Sequence, residues 1–176
     1  MRYIFSHYKI IIFTIFFLIF PIFAHAIQIG TVAPPFNVSA GDGSKMSLAD
    51  VSGKVVIILY ETKDVIEINR PLKNMLNELF TDNIKKSAIV LPVINCSHAT
   101  FISAWKSNLR KNSEKEQLTI YGDWDGAMFK DYGMKDKTNN IIIVDKKGMV
   151  RYSNFSKLSD EDIQNVKVLI QDLTRR

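Results

Sequence analysis

The segment Val55-Val56-Ile57-Ile58-Leu59-Tyr60, continued by Glu61-Thr62-Lys63-Asp64, has no polar face over its first six residues. Four of the six are β-branched, and an unbroken run of this kind marks a strand buried on both faces, as in the middle of a parallel sheet. Downstream, Ile68, Leu72, Met75, Leu76 and Leu79 recur at helical spacing, which predicts a helix packed back on that strand. Pro71 falls about seven residues into this helix and predicts a kink. Ala88 to Asn95 is a second buried strand, whose Pro92 removes a ladder donor and predicts an edge position or a bulge. Ala99 to Lys111 follows as a helix with the inner stripe Ile102, Trp105 and Leu109 and with Phe101 beside it.

The alternation continues toward the C-terminus. Leu118 to Tyr121 predicts a short strand and Gly126 to Tyr132 a short helix. Ile141 to Val144 is a third buried strand, turned by Asp145-Lys146-Lys147-Gly148 into Met149 to Ser153 as an antiparallel hairpin. Ser159 caps the last helix, with Asp160, Glu161 and Asp162 in its first turn and a buried face of Ile163, Val166, Ile170 and Leu173. Upstream of the first core strand, Phe36 to Val38 and Met46 flank the turn Gly41-Asp42-Gly43-Ser44, an N-terminal β-hairpin. These elements predict an α/β sandwich: a central mixed β-sheet flanked by helices.

The chain has 176 residues, a formal net charge of +5 and one cysteine, Cys96. One cysteine cannot form a disulfide within the chain, which excludes any cycle that opens and closes an intramolecular dithiol. Residues 1–26 carry Arg2 and Lys9, an apolar run from Ile10 to Phe20, Pro21, then Ala24-His25-Ala26, and no acidic residue. That order is a secretory signal peptide with cleavage after Ala26. The alternative, a retained anchor, is disfavoured because a spanning helix needs about 20 apolar residues. Without residues 1–26, 21 basic residues remain against 18 acidic ones, a net charge of +3. The basic residues fall in pairs without forming a stripe, so nucleic acid is not an expected partner. Residues 27–176 are then a single extracytoplasmic domain, expected in the periplasm, with no stable membrane span after cleavage.

Three stretches together resemble the thioredoxin-like superfamily, in its redoxin and peroxiredoxin-related branch. They are Gly30-Thr31-Val32-Ala33-Pro34-Pro35-Phe36, Val51-Ser52-Gly53-Lys54-Val55-Val56-Ile57, and the block from Gly122-Asp123-Trp124-Asp125-Gly126 through Tyr132-Gly133 to Ile143-Val144-Asp145-Lys146-Lys147-Gly148. The overall pattern is similar to the small periplasmic YtfJ-like proteins. The resemblance implies a thioredoxin-like sandwich. It also implies a C-x-x-C or a lone reactive cysteine where the first core strand meets the next helix, whose amides and dipole hold a thiolate. Counting from Tyr60 puts Asp64 and Glu67 at the two cysteine positions; counting back from Pro71 puts Lys63 and Ile66 there. Neither register contains sulfur. The cis-proline that the resemblance implies before Ile141 is replaced by Thr138-Asn139-Asn140, and a non-proline cis bond costs roughly 2.5–4 kcal/mol, so this loop is expected to be trans.

The remaining candidates are few. Asp64-x-x-Glu67 has the spacing of a capping box, and the same residues with Glu61 and Lys63 form a polar surface where a partner could dock. Cys96 and His98, two apart at a strand end, could activate a thiol or offer two metal ligands, but a zinc site needs three or four and no further Cys or His follows cleavage. Free cysteine more commonly behaves as a small buried apolar residue. Asp123-Trp124-Asp125-Gly126 lacks the oxygen ladder of a calcium loop and is read as a turn and helix start. There is no G-x-S-x-G and no phosphate-binding glycine loop. The expectation is therefore a redox-inactive binding or accessory module, not an enzyme, with no cofactor and no metal. Its partner is a periplasmic protein or small ligand, met at a surface of Tyr60, Lys63, Asp64, Glu67 and Asn139. The alternative is a single-cysteine thiol oxidoreductase or metal-handling protein that uses Cys96, with His98 beside it.

Overall fold

The structure, a computed structural model, describes residues 27–62, 65 and 67–175. The secretory segment predicted over residues 1–26 lies outside the described residues, as do Lys63, Asp64 and Ile66. The elements are β1 (Asn37–Ala40), β2 (Lys45–Ser47), β3 (Val55–Glu61), α1 (Arg70–Leu79), α2 (Asp82–Ser87) and β4 (Ala88–Asn95), then α3 (Ile102–Glu116), β5 (Tyr121–Asp123), α4 (Ala127–Asp131), β6 (Asn140–Val144), β7 (Val150–Asn154) and α5 (Asp160–Arg175). All seven strands form one mixed sheet in the order β2-β1-β5-β4-β3-β6-β7. No helix among the described residues is long and apolar enough to cross a membrane.

Strand β3 is buried along its whole length, parallel to β4 and antiparallel to β6. Side chains alternate across a strand, so Val56, Ile58 and Tyr60 enter a core shared with Val38, Leu91, Met128 and Tyr132. Val55, Ile57 and Leu59 enter the opposite core, under Leu72 and Leu76 of α1 and Val166 and Ile170 of α5. A smaller cluster of Ile94, Cys96, Leu109 and Ile120 sits under α3. Ile94 is in register with Glu61, so this cluster shares the face covered by α1. The hairpins β1–β2 and β6–β7 and the final helix form as predicted; Ser159 and Asp162 cap α5 reciprocally, with the Asp162 amide donating to Ser159 Oγ at 3.1 Å.

Four local expectations are corrected. The helix after β3 starts at Arg70, so Pro71 lies in its first turn, where no hydrogen bond is lost and no kink arises. The stretch before it is a chain of tight turns, with Val65 N donating to Thr62 O and Ile68 N to Val65 O. Helix α3 begins later and runs further than its apolar stripe: Phe101 and Ile102 are exposed, Leu109 is buried, and the polar residues beyond it remain helical up to Gln117 in the left-handed region. Strand β5 is Tyr121–Asp123 where Leu118 to Tyr121 was expected, because pairing with β4 begins only at Val93 opposite Tyr121. For the same reason Pro92 belongs to the part of β4 that has no partner on the β5 side, and its missing donor costs no ladder bond there.

Candidate functional site

At the end of β3, alternation sends two polar side chains to opposite faces. Glu61, 3% exposed, points toward α1. Its carboxylate accepts from Asn69 Nδ2 at 2.5 Å and from Lys73 Nζ at 2.9 Å. Asn69 precedes α1 and makes no cap bond with its side chain, which reaches back to Glu61 instead. Lys73 lies one helical turn further on, on the same face. The result is a buried carboxylate whose charge is matched by one partly exposed ammonium. It closes the end of the first core strand against the following helix, on the strand side of the turns that carry the positions where the resemblance implies a thiolate.

Beside it are buried acceptors that find no donor among the described residues: Thr62 Oγ1, Asn69 Oδ1 and Asn139 Oδ1. Asn139 immediately precedes β6, whose Asn140 pairs with Tyr60, so it lies next to Glu61. Asn140 holds this loop in place: its Oδ1 accepts from Lys135 N at 2.7 Å and its Nδ2 donates to Lys135 O at 2.8 Å. No peptide bond among the described residues is cis, so the loop before β6 is trans as expected. Unpaired buried acceptors are uncommon in folded proteins and need a reason.

On the other face, Tyr60 is wholly buried and donates its hydroxyl to Asp123 Oδ2 at 2.8 Å. The same oxygen accepts from Phe129 N at 3.0 Å, so Asp123 ties the start of α4 to β3. Burial raises the Asp123 carboxyl above its ordinary value, against the hydrogen bonds from Phe129 and Tyr60, and the neighbouring Asp125 raises it further. Asp125, at the surface, is held below its ordinary value, chiefly by the Ala127 amide. The two carboxyls lie within reach of one another, so a proton bound by the pair belongs on Asp123. Burial, and then the charge of Asp123, push the Tyr60 phenol far up.

The predicted site residues separate. Tyr60 is corrected from a surface residue to a core one, because its even position on β3 turns it away from Glu61. Asn139 is buried, with one open acceptor. Glu67 is exposed and ion-paired to Arg70. Lys63 and Asp64 lie outside the described residues, and the helix that their capping box with Glu67 was to start begins beyond it. Cys96 is 2% exposed, among Ile94, Leu109 and Ile120. Burial, and secondarily the charge of Asp123, push its thiol up to about 12. His98 is exposed; a turn closed by Ala99 N to Cys96 O separates the two side chains that strand spacing would have brought together.

Sequence reasoning missed Asn69 and Lys73, and it read Asp123 only as part of a turn and helix start, without its bond to Tyr60. Asn69 had a signal, since Asn-x-Pro is a helix start. Lys73 is twelve residues from Glu61, and Asp123 sixty-three from Tyr60, so neither pairing has a local signature. Among the described residues no group of three or more His, Cys, Asp or Glu side chains converges on a metal-sized site.

Solved structures share this fold. A candidate thiol:disulfide interchange protein DsbE from Chlorobium tepidum superposes with a TM-score of 0.66 at 18% identity, covering 85% of this chain and 99% of its own. The exposed lipoprotein thioredoxin Etrx1 from Streptococcus pneumoniae gives 0.58 at 19%, covering 77% and 99%. A peroxiredoxin-like protein from Aquifex aeolicus gives 0.59 at 17%, covering 82% and 89%. No curated protein matches the chain. The model of the AhpC/TSA family matches residues 29–153, from the glycine-led N-terminal segment to the end of β7, and with the thioredoxin-like sheet this leaves one assignment: the chain belongs to the AhpC/TSA family.

Proposed function

We propose that this protein is a secreted, periplasmic thioredoxin-like module that binds a protein or small ligand and has no thiol redox activity. The observation that carries the proposal is the Glu61–Asn69–Lys73 network, which ties the end of β3 to α1 beside a connecting stretch, residues 62–69, that contains no cysteine. A carboxylate locked between an amide and an ammonium is neither a nucleophile toward disulfides nor an electron carrier. The acceptors of Thr62, Asn69 and Asn139 beside it suit a partner that brings N–H or O–H donors. The signal pattern of residues 1–26 supports secretion.

The test is activity with wild type and Cys96→Ser side by side. Dithiothreitol-driven insulin reduction and hydrogen peroxide consumption should match the protein-free rate for both. Turnover by wild type that the Cys96→Ser variant loses would overturn the proposal in favour of single-cysteine chemistry.

A further inference from the structure

The face of the sheet covered by α1 and α5 is not covered evenly. The core under α1 and the cluster under α3 are separate, and between them lies an open groove of about 500 Å³. That size is within the roughly 300–1,000 Å³ of small-molecule sites. Its floor is Leu59, Val90 and Pro92, and Phe80, just past α1, and Leu118, just past α3, form opposite walls. Val90 and Phe80 are only half-buried and Leu118 is 39% exposed, so the apolar lining is incompletely covered.

The charges are distributed unevenly along it. At one end is the Glu61–Lys73 pair, already neutralised. At the other, Lys54 before β3 and Lys85 at the end of α2 both line the groove, and neither forms an ion pair among the described residues. Glu116, the last residue of α3, lines it on the Leu118 side, so two ammonium groups face one further carboxylate. The two ends are the length of β3 apart, roughly 20 Å at about 3.3 Å per residue. An apolar floor with two unpaired ammonium groups at one end, against the single carboxylate of Glu116 on the α3 side, complements a single-chain molecule with an anionic head.

We infer that this groove binds a free, monomeric single-chain carboxylate amphiphile, its head at Lys54 and Lys85 and its tail over Val90 and Pro92 between Phe80 and Leu118. An added peptide strand fits less well, because Pro92 interrupts the donor row on this part of β4. The inference extends the binding role proposed above by naming a ligand class. Its test does not involve Cys96, so its failure and the failure of the redox-inactive reading are distinguishable.

The test is calorimetric titration of the purified protein with dodecanoate below its micellar concentration, beside dodecyltrimethylammonium, an acidic extended peptide and phosphatidylglycerol vesicles. Saturable one-to-one binding of dodecanoate alone is expected. The exposed-site variants Lys54→Glu/Lys85→Glu and, separately, Leu118→Asp should each weaken it about tenfold or more, equivalent to about 1.4 kcal/mol, with the ligand-free melting temperature unchanged. The Leu118→Asp variant keeps the test decisive if the double variant folds poorly. Absence of saturable dodecanoate binding, equal binding of the cationic analogue, or unchanged affinity in a folded variant would overturn the inference. Preferential binding to the vesicles or the peptide would overturn it too, in favour of a membrane surface or a protein strand.

Discussion

Glu61 and Asp123 are both buried carboxylates, Glu61 with partners on both oxygens and Asp123 on Oδ2 alone, and their surroundings predict different responses to substitution. Glu61 depends on Lys73, so Lys73→Met should destabilise the fold by roughly 3 kcal/mol, the usual scale for stranding one charge of a buried pair. The double variant Glu61→Met/Lys73→Met should cost less than the sum of the singles in urea unfolding, because it leaves no buried charge unpaired. Asp123 is instead held above its ordinary carboxyl value of 3.8 by burial. The folded state therefore binds that proton more tightly than the unfolded chain does. Its contribution is a stability that falls as pH rises from about 3.8 through the folded value and is level beyond. Asp123→Asn keeps acceptors for Tyr60 and Phe129 and should remove this fall, which melting temperatures of both proteins between pH 3 and 8 would reveal. An identical pH profile in the variant would assign the dependence elsewhere. Neither carboxylate could be paired from the sequence, where Glu61 is one of several acidic residues after a strand and Asp123 part of a turn.

At the scale of elements, hydrophobic runs and turns were legible and polar extensions were not. Strand β4 has the boundaries its apolar residues predict, whereas α3 continues past Leu109 through residues that carry no apolar stripe. The start of α1 was misplaced because Leu72, Met75 and Leu76 fix a helical face but not its first residue, and Pro71 reads as an interruption unless it is known to occupy the first turn. How α3 docks was invisible in the sequence and hangs on Gly41. A Cβ there would come within 2.2 Å of the Lys106 carbonyl oxygen and 2.8 Å of the Arg110 nitrogen, both backbone atoms that cannot rotate away. Gly41→Ala should therefore lower stability by about 3 kcal/mol, at the upper end of ordinary overpacking, in chemical denaturation. A loss below about 0.5 kcal/mol would mean that α3 shifts off the hairpin at little cost.

The whole molecule is a redoxin-family sheet whose single cysteine lies after β4, away from the junction of β3 and α1. The fold was readable from the sequence because its three central strands, β4, β3 and β6, are near-continuous apolar runs in a fixed order, with turn residues marking the hairpins outside them. The missing cysteines were readable because absence from a sequence is a local fact. That Cys96 is core, and that His98 faces away from it, depended on a turn after β4 that strand periodicity does not contain. The most direct measurement is the rate at which Cys96 of the native protein reacts with a small thiol reagent at pH 7, compared with the rate in denaturant. With the thiol pushed up to about 12, the native thiolate fraction is about 10⁻⁵ against about 10⁻² to 10⁻¹ for an ordinary thiol. The native rate should therefore be at least about a thousandfold slower than the unfolded one. Native labelling as fast as, or faster than, the unfolded chain would show a reactive thiol and contradict a redox-inactive domain.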